Sequence, residues 1–158
     1  MVEDNRRNIK KIKFVLKQML HGTVPTISTD KLADLINCSS QWCLLDCRES
    51  NEFEVSHLPD AKWVGYKNFT LFNLKGIPKD TKIALYCSIG VRSEQIAEKL
   101  IASGFSKVWN LYGGIFAWAN EHKPLVDHNS NPTFVVHGYD QKWGELVNNP
   151  VFTKVLSN

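Results

Sequence analysis

With 158 residues, 43% of them hydrophobic and 22% charged, the chain is long enough to bury one core and too short for two ordinary domains. Its net charge of +3 is local: residues 1–20 carry six basic and two acidic groups, a surplus of +4, which leaves −1 for the rest. No apolar run approaches the ~20 residues of a membrane span, Lys and Gln interrupt the start too often for a signal peptide, and Phe14 alone stands among its basic residues, too little aromatic interleaving for a nucleic-acid surface. A cytoplasmic protein is expected.

In residues 5–20, Ile9, Ile12, Val15, Leu16, Met19 and Leu20 share one helical stripe, with Arg6, Arg7, Lys10, Lys13 and Lys17 largely elsewhere. This predicts an amphipathic N-terminal helix, an extension over residues 1–22 that packs its apolar side on the domain. A membrane surface or a protein partner is the alternative. After a loop at 21–25, Thr26 and Ile27 start a short edge strand, and Ser28 or Thr29 caps a helix that carries Leu32, Leu35 and Ile36 and ends near Asn37.

Trp42–Asp46 is the next buried strand, followed by one or two helical turns over 50–56 with Phe53 and Val55. Pro59 and Asp60 turn the chain into a strand over 61–64. Residues 65–81 are less regular, with Phe69, Leu71, Phe72 and Leu74 expected to pack inward before a turn at 78–80. Lys82–Tyr86 reads as a buried parallel strand, and Ile96, Ala97, Leu100 and Ile101 mark a helix over 93–103 that stops at Gly104. Val108–Leu111 is the last central strand, leaving through Gly113 and Gly114 to a helix around 116–120. The tail over 126–158 holds Phe134, Val135, Val136, Tyr139, Trp143, Leu146, Phe152 and Val155, too many large apolar groups for a disordered end. It is expected to wrap over a domain spanning 23–125, with Tyr139 or Trp143 lining a pocket rim as the alternative.

Strands alternating with helices argue for an α/β fold with a parallel sheet covered on both faces, its sites at the carboxyl ends of the strands. Cys87 falls at such an end, in a strand-to-helix turn. Amides of Ser88, Ile89, Gly90, Val91 and Arg92, if they point inward, join the partly positive start of the following helix. An anion is welcome there, and a thiolate is the nucleophilic form of cysteine. The other reading of Cys87 is a buried inert thiol. Cys38, Cys43, Cys47 and Cys87 show no zinc-like pairing and read as free thiols, with no metal or cofactor implied.

The segment CSIGVRS with its amphipathic helix, then GFSKVWNLYGGIFAW, resembles the active-site half of a rhodanese domain. Upstream, LLDCRESNEFEVSHLPDAKWV is similar to the other family stretch, an Asp-x-Arg strand end leading through a short helix to a His-x-x-x-Ala turn. Together the two blocks cover most of residues 42–124. The resemblance implies a rhodanese-like three-layer sandwich, a central, mostly parallel five-stranded sheet with helices on both faces. It also implies a sulfurtransferase in which Cys87 takes the outer sulfur of a thiosulfate- or persulfide-type donor as a persulfide and passes it to a thiol or cyanide. A protein donor or acceptor is a further partner in view.

By motif position Arg92 helps to bind an anionic donor with the loop residues 88–91, while Asp46, Arg48, Glu52 and His57 read as mostly structural, in internal pairing and turn closure, with substrate binding by Arg48 as the alternative. Cys47 is either a packed strand-end cysteine or a candidate resolving thiol for Cys87. Thiosulfate-favouring members often carry a basic residue directly after the cysteine, where this chain has Ser88. Two rival functions stand beside this one. A sulfur carrier or partner-docking module would take up sulfur without small-molecule turnover. Cys-based phosphatases and arsenate reductases use Cys-x5-Arg loops, one residue longer than the loop between Cys87 and Arg92.

Overall fold

The computed structural model describes residues 2–39 and 41–157, without the side chains of 2–5 and 8. Met1 and Asn158, the outer ends of the predicted extension and tail, therefore lie outside the described residues. Five parallel strands form the central sheet in the order β1-β5-β4-β2-β3: β1 Thr26–Ile27, β2 Trp42–Asp46, β3 Lys62–Trp63, β4 Lys82–Tyr86 and β5 Val108–Leu111. The sheet is buried on both faces, and side chains that alternate along each strand divide between two cores. Leu44, Ala84 and Tyr86 face one core, and Leu45, Ile83 and Leu85 the other.

Helices cover both faces. α2 (Thr29–Cys38) starts at Ser28, whose hydroxyl accepts from the Lys31 N–H at 3.1 Å, and buries Leu32 in the first core. Ile115 and Phe116 of α5 (Gly114–Asn120) lie in that core, as do Ile12 and Leu16 of α1 (Val2–Met19), which packs against α5. α4 (Val91–Ala102) places Ile96, Ala97 and Leu100 in the second. α3 (Ser50–Val55) follows β2.

Two expectations give way to local geometry. Residues 71–74 form a short 3-10 turn (Leu71–Leu74) at the surface, too brief to bury all its apolar side chains. Phe69, just before it, and Leu74, at its end, are buried, while Leu71 and Phe72 face solvent. The helix after Cys87 begins at Val91, two residues earlier than the hydrophobic spacing predicts, so that Arg92 lies in its first turn.

The tail forms a two-stranded hairpin of β6 (Leu125–Val126) and β7 (Pro132–Thr133), then a parallel pair of β8 (Val135–His137) and β9 (Thr153–Val155) around a short α6 (Gln141–Gly144). β8 packs on α3, and Val136, Leu146, Val147 and Phe152 join the first core. Polar bonds tie the tail to α5: Asn120 Nδ2 donates to the Leu146 carbonyl at 2.8 Å and Asn149 Nδ2 to the Ala119 carbonyl at 2.9 Å. No helix among the described residues is long and apolar enough to cross a membrane.

Candidate active site

Residues 87–90 make the whole turn between β4 and α4. Gly90 sits at φ +122°, a backbone conformation that L side chains rarely adopt, and its N–H donates to the Cys87 sulfur at 3.1 Å. The loop is fixed from behind, where the N–H groups of Ile115 and Phe116 donate to the carbonyls of Cys87 (3.0 Å) and Ser88 (3.1 Å). Gly114 allows this approach, since a Cβ there would stand 2.5 Å from both carbonyl oxygens.

The expected amide ring is met in part: among the described residues, the Gly90 N–H is the loop amide that reaches the sulfur. A second donor comes from outside the segment 88–92. Ser93 Oγ lies 3.5 Å from Cys87 Sγ and 2.6 Å from Asn110 Oδ1, while Asn110 Nδ2 donates to the Gly90 carbonyl at 2.9 Å. That amide bond orients Asn110, so the single Ser93 proton points to Asn110 Oδ1 and can swing to the sulfur when charge builds there. Neither residue follows from the Cys-x4-Arg motif. The available signals were a polar Asn inside the buried strand VWNL and a Ser in the first turn of α4.

Cys87 is nearly inaccessible on its own account (1% exposed), yet with Ser88 it forms the floor of a cavity of about 170 Å³. Ile89, Val91, Met19, Tyr139 and Trp143 line the walls, and Arg92 lies at the side. Tyr139 and Trp143 thus take the pocket-rim position, and Met19 enters from the apolar stripe of α1.

Arg92 does not extend freely into this space. Its guanidinium donates to both Glu52 oxygens at 2.8 and 2.9 Å and to Ser88 Oγ at 2.9 Å, and the Tyr139 ring lies 5.3 Å from it. Burial opposes the Glu52 charge, but the Arg92 partner outweighs it and holds the carboxyl below the usual range. For Arg92, burial is likewise overcome by Glu52, with the Cys87 sulfur adding to the upward shift. Arg92 thus lines the cavity, as expected of an anion-binding residue, but with its charge matched by Glu52.

Of the two readings of Arg48, internal pairing and substrate contact, the geometry shows the first. Arg48 is fully buried beneath the site, paired with Asp46 at 2.7 Å and donating to the Ser56 carbonyl at 2.7 Å, so it cannot contact a molecule in the cavity. Asp46, Glu52 and His57 all make internal bonds: the His57 ring stacks on Phe53 at 3.8 Å, and its backbone bridges to Val126. Cys47 continues the strand ladder with its N–H on the Tyr86 carbonyl at 2.8 Å, and its side chain lies in the second core. Burial, with Cys87 and Asp46 adding to it, pushes the Cys47 thiol well above its ordinary value, which keeps it protonated and weakly nucleophilic.

His21, Glu94 and Glu98 bring metal-ligand atoms within 4.8 Å of one another, but the Glu94 oxygens accept the His21 and Gly22 N–H groups at 2.8 and 3.1 Å. That cluster closes the chain after α1.

A family model described as Rhodanese-like domain matches residues 28–121. A protein named Sulfurtransferase from Allochromatium vinosum is 32% identical over 103 residues, which cover 65% of this chain and 95% of that one. The probable adenylyltransferase/sulfurtransferase MoeZ of Mycobacterium tuberculosis is also 32% identical over 103 residues, but these are 63% of this chain and only 26% of that protein. A solved rhodanese-like domain protein from Staphylococcus aureus matches with a TM-score of 0.55 at 30% identity, covering 60% of this chain and 90% of that one.

Proposed function

The chain belongs to the rhodanese-like domain family, and from that premise we propose that it moves a sulfane sulfur through a persulfide on Cys87. Its sulfurtransferase relatives support sulfur transfer as the general activity. The observation that carries the finer reading is the Gly90 N–H aimed at the Cys87 sulfur, 3.1 Å away, on the floor of an open cavity.

In the first half-reaction the Cys87 thiolate attacks the outer sulfur of the donor, and the donor leaves with the electron pair of the broken S–S bond. Cys87 then carries one additional sulfur. In the second, a thiol or cyanide acceptor attacks that outer sulfur and releases the Cys87 thiolate, a ping-pong sequence with no net redox change. The Gly90 N–H and the Ser93 hydroxyl stabilise negative charge on sulfur at both stages. Asn110 positions both donors, since it bonds Ser93 and the Gly90 carbonyl. Arg92 and Glu52 form a neutral strut that holds the start of α4 against α3 and fixes Ser88.

Steady-state turnover tests the proposal. Persulfide or thiosulfonate donors with cyanide as acceptor are expected to give many turnovers per Cys87, with parallel double-reciprocal plots. A single stoichiometric load without turnover would identify a carrier, and hydrolysis of an aryl phosphate without sulfur transfer would identify a phosphatase.

A further inference from the structure

The three largest apolar groups that wall the pocket come from outside the family-matched residues 28–121: Met19 ends α1, and Tyr139 and Trp143 belong to the tail. Tyr139 is held at φ +71°, a conformation uncommon for a residue with a side chain. Two bonds keep it there, from its N–H to His137 Nδ1 at 2.9 Å and from the Ser157 N–H to its carbonyl at 2.7 Å. The result lays the ring over Arg92 at the pocket's edge.

From these walls we infer that the pocket selects an organic donor, R–S–SH, whose R is a compact apolar or aromatic group about the size of one benzene ring. This rests on the sulfur-transfer reading above. The cavity of about 170 Å³ compares with the ~150 Å³ apolar cavity that accepts benzene in another protein. Its electrostatics disfavour the inorganic alternative. Among the described residues lining it, Arg92 is the charged one, and both Glu52 oxygens neutralise it. A doubly charged thiosulfate would enter beside the Glu52 carboxylate without a free cation to meet it, whereas R buries against Met19, Tyr139 and Trp143. The step balances as Cys87–S⁻ + R–S–SH → Cys87–S–SH + R–S⁻.

Benzenethiosulfonate and methanethiosulfonate test this as probes of equal charge, since each transfers its outer sulfur and releases a sulfinate. Rates of sulfur loading on Cys87 are followed by mass spectrometry and divided by the rates of the same donors with free glutathione, which removes intrinsic reactivity. The wild-type chain should favour phenyl over methyl by about 10- to 100-fold on that scale, the range expected for burying one aromatic group. It should also favour benzenethiosulfonate over thiosulfate. Trp143→Ala should reduce the phenyl preference about threefold or more. Tyr139→Gly should do the same while suiting the backbone at φ +71°. A phenyl preference near one, a thiosulfate rate equal to that of benzenethiosulfonate on the same scale, or a preference surviving both substitutions would overturn the inference. Failure of every donor to load Cys87 would instead remove the sulfur-transfer reading itself.

Discussion

Gly114→Ala should damage the active-site loop from behind, at a position that does not itself line the cavity. A Cβ at Gly114 would stand 2.5 Å from the carbonyl oxygens of Cys87 and Ser88 and 2.7 Å from the Ser88 carbonyl carbon, all backbone atoms that no rotamer change can move. The φ of +57° adds a penalty of ~1–2 kcal/mol for a side chain. Overpacking against fixed atoms costs a further ~1–3 kcal/mol, giving about 2–5 kcal/mol in all. Gly104→Ala is the matched control, with φ +96° and nothing within 4 Å of its added Cβ. It should lose only the conformational share, ~1–2 kcal/mol. Urea unfolding of the two variants, followed by sulfur-transfer rates under native conditions, separates the contributions. Gly114→Ala should be the less stable by ~1–3 kcal/mol and also slower, because relief of the clash must displace either the loop or α5. Equal stability loss with full activity in both would refute the claim that α5 holds the loop in place.

Cys47→Ala should cost about 1–2 kcal/mol of stability from the small void it leaves and retain multiple turnover; loss of turnover would make Cys47 a participant. Ser93→Ala should slow loading of Cys87 about tenfold, less than the effect of removing a dedicated oxyanion donor, because its proton is shared with Asn110. An unchanged rate would remove Ser93 from charge stabilisation. Arg92→Ala leaves the nearly buried Glu52 carboxylate unpaired and should destabilise by about 3 kcal/mol. Adding Glu52→Gln should recover much of that loss in a double-mutant cycle, and additive losses would argue against the strut.

The pH dependence has a definite sign. Burial, with Arg48 and Arg92 adding to it and Glu52 opposing, lowers the His137 pKa from its ordinary 6.5. The unfolded chain therefore binds the proton first. Stability from neutral His137 is complete above about pH 6.5 and falls as pH drops through the lower folded value. Melting temperature should decline with acidification in that window, and His137→Gln should flatten the decline; an unchanged slope would assign it to other groups.

The sheet was legible because each central strand is a short apolar run buried on both faces, and Cys87 because it follows one of them directly. What the sequence hid was the identity of partners. Arg48 and Arg92 both look like cations available to a substrate, and only folding shows Asp46 and Glu52 already occupying them. Ser93 and Asn110 meet across seventeen residues by way of a sheet neighbour, a contact that no local spacing encodes. The tail's apolar content announced a packed segment, but the meeting of Tyr139 and Trp143 with Met19 depends on where the two ends of the chain return to the domain.

The most direct measurement is the intact mass of the purified chain after exposure to benzenethiosulfonate, beside Cys87→Ala under the same conditions. One added sulfur atom is expected, localised to Cys87, removed by cyanide and absent from the variant. A sulfur adduct that persists in Cys87→Ala, or an unmodified Cys87 with every donor offered, would contradict sulfur transfer through Cys87.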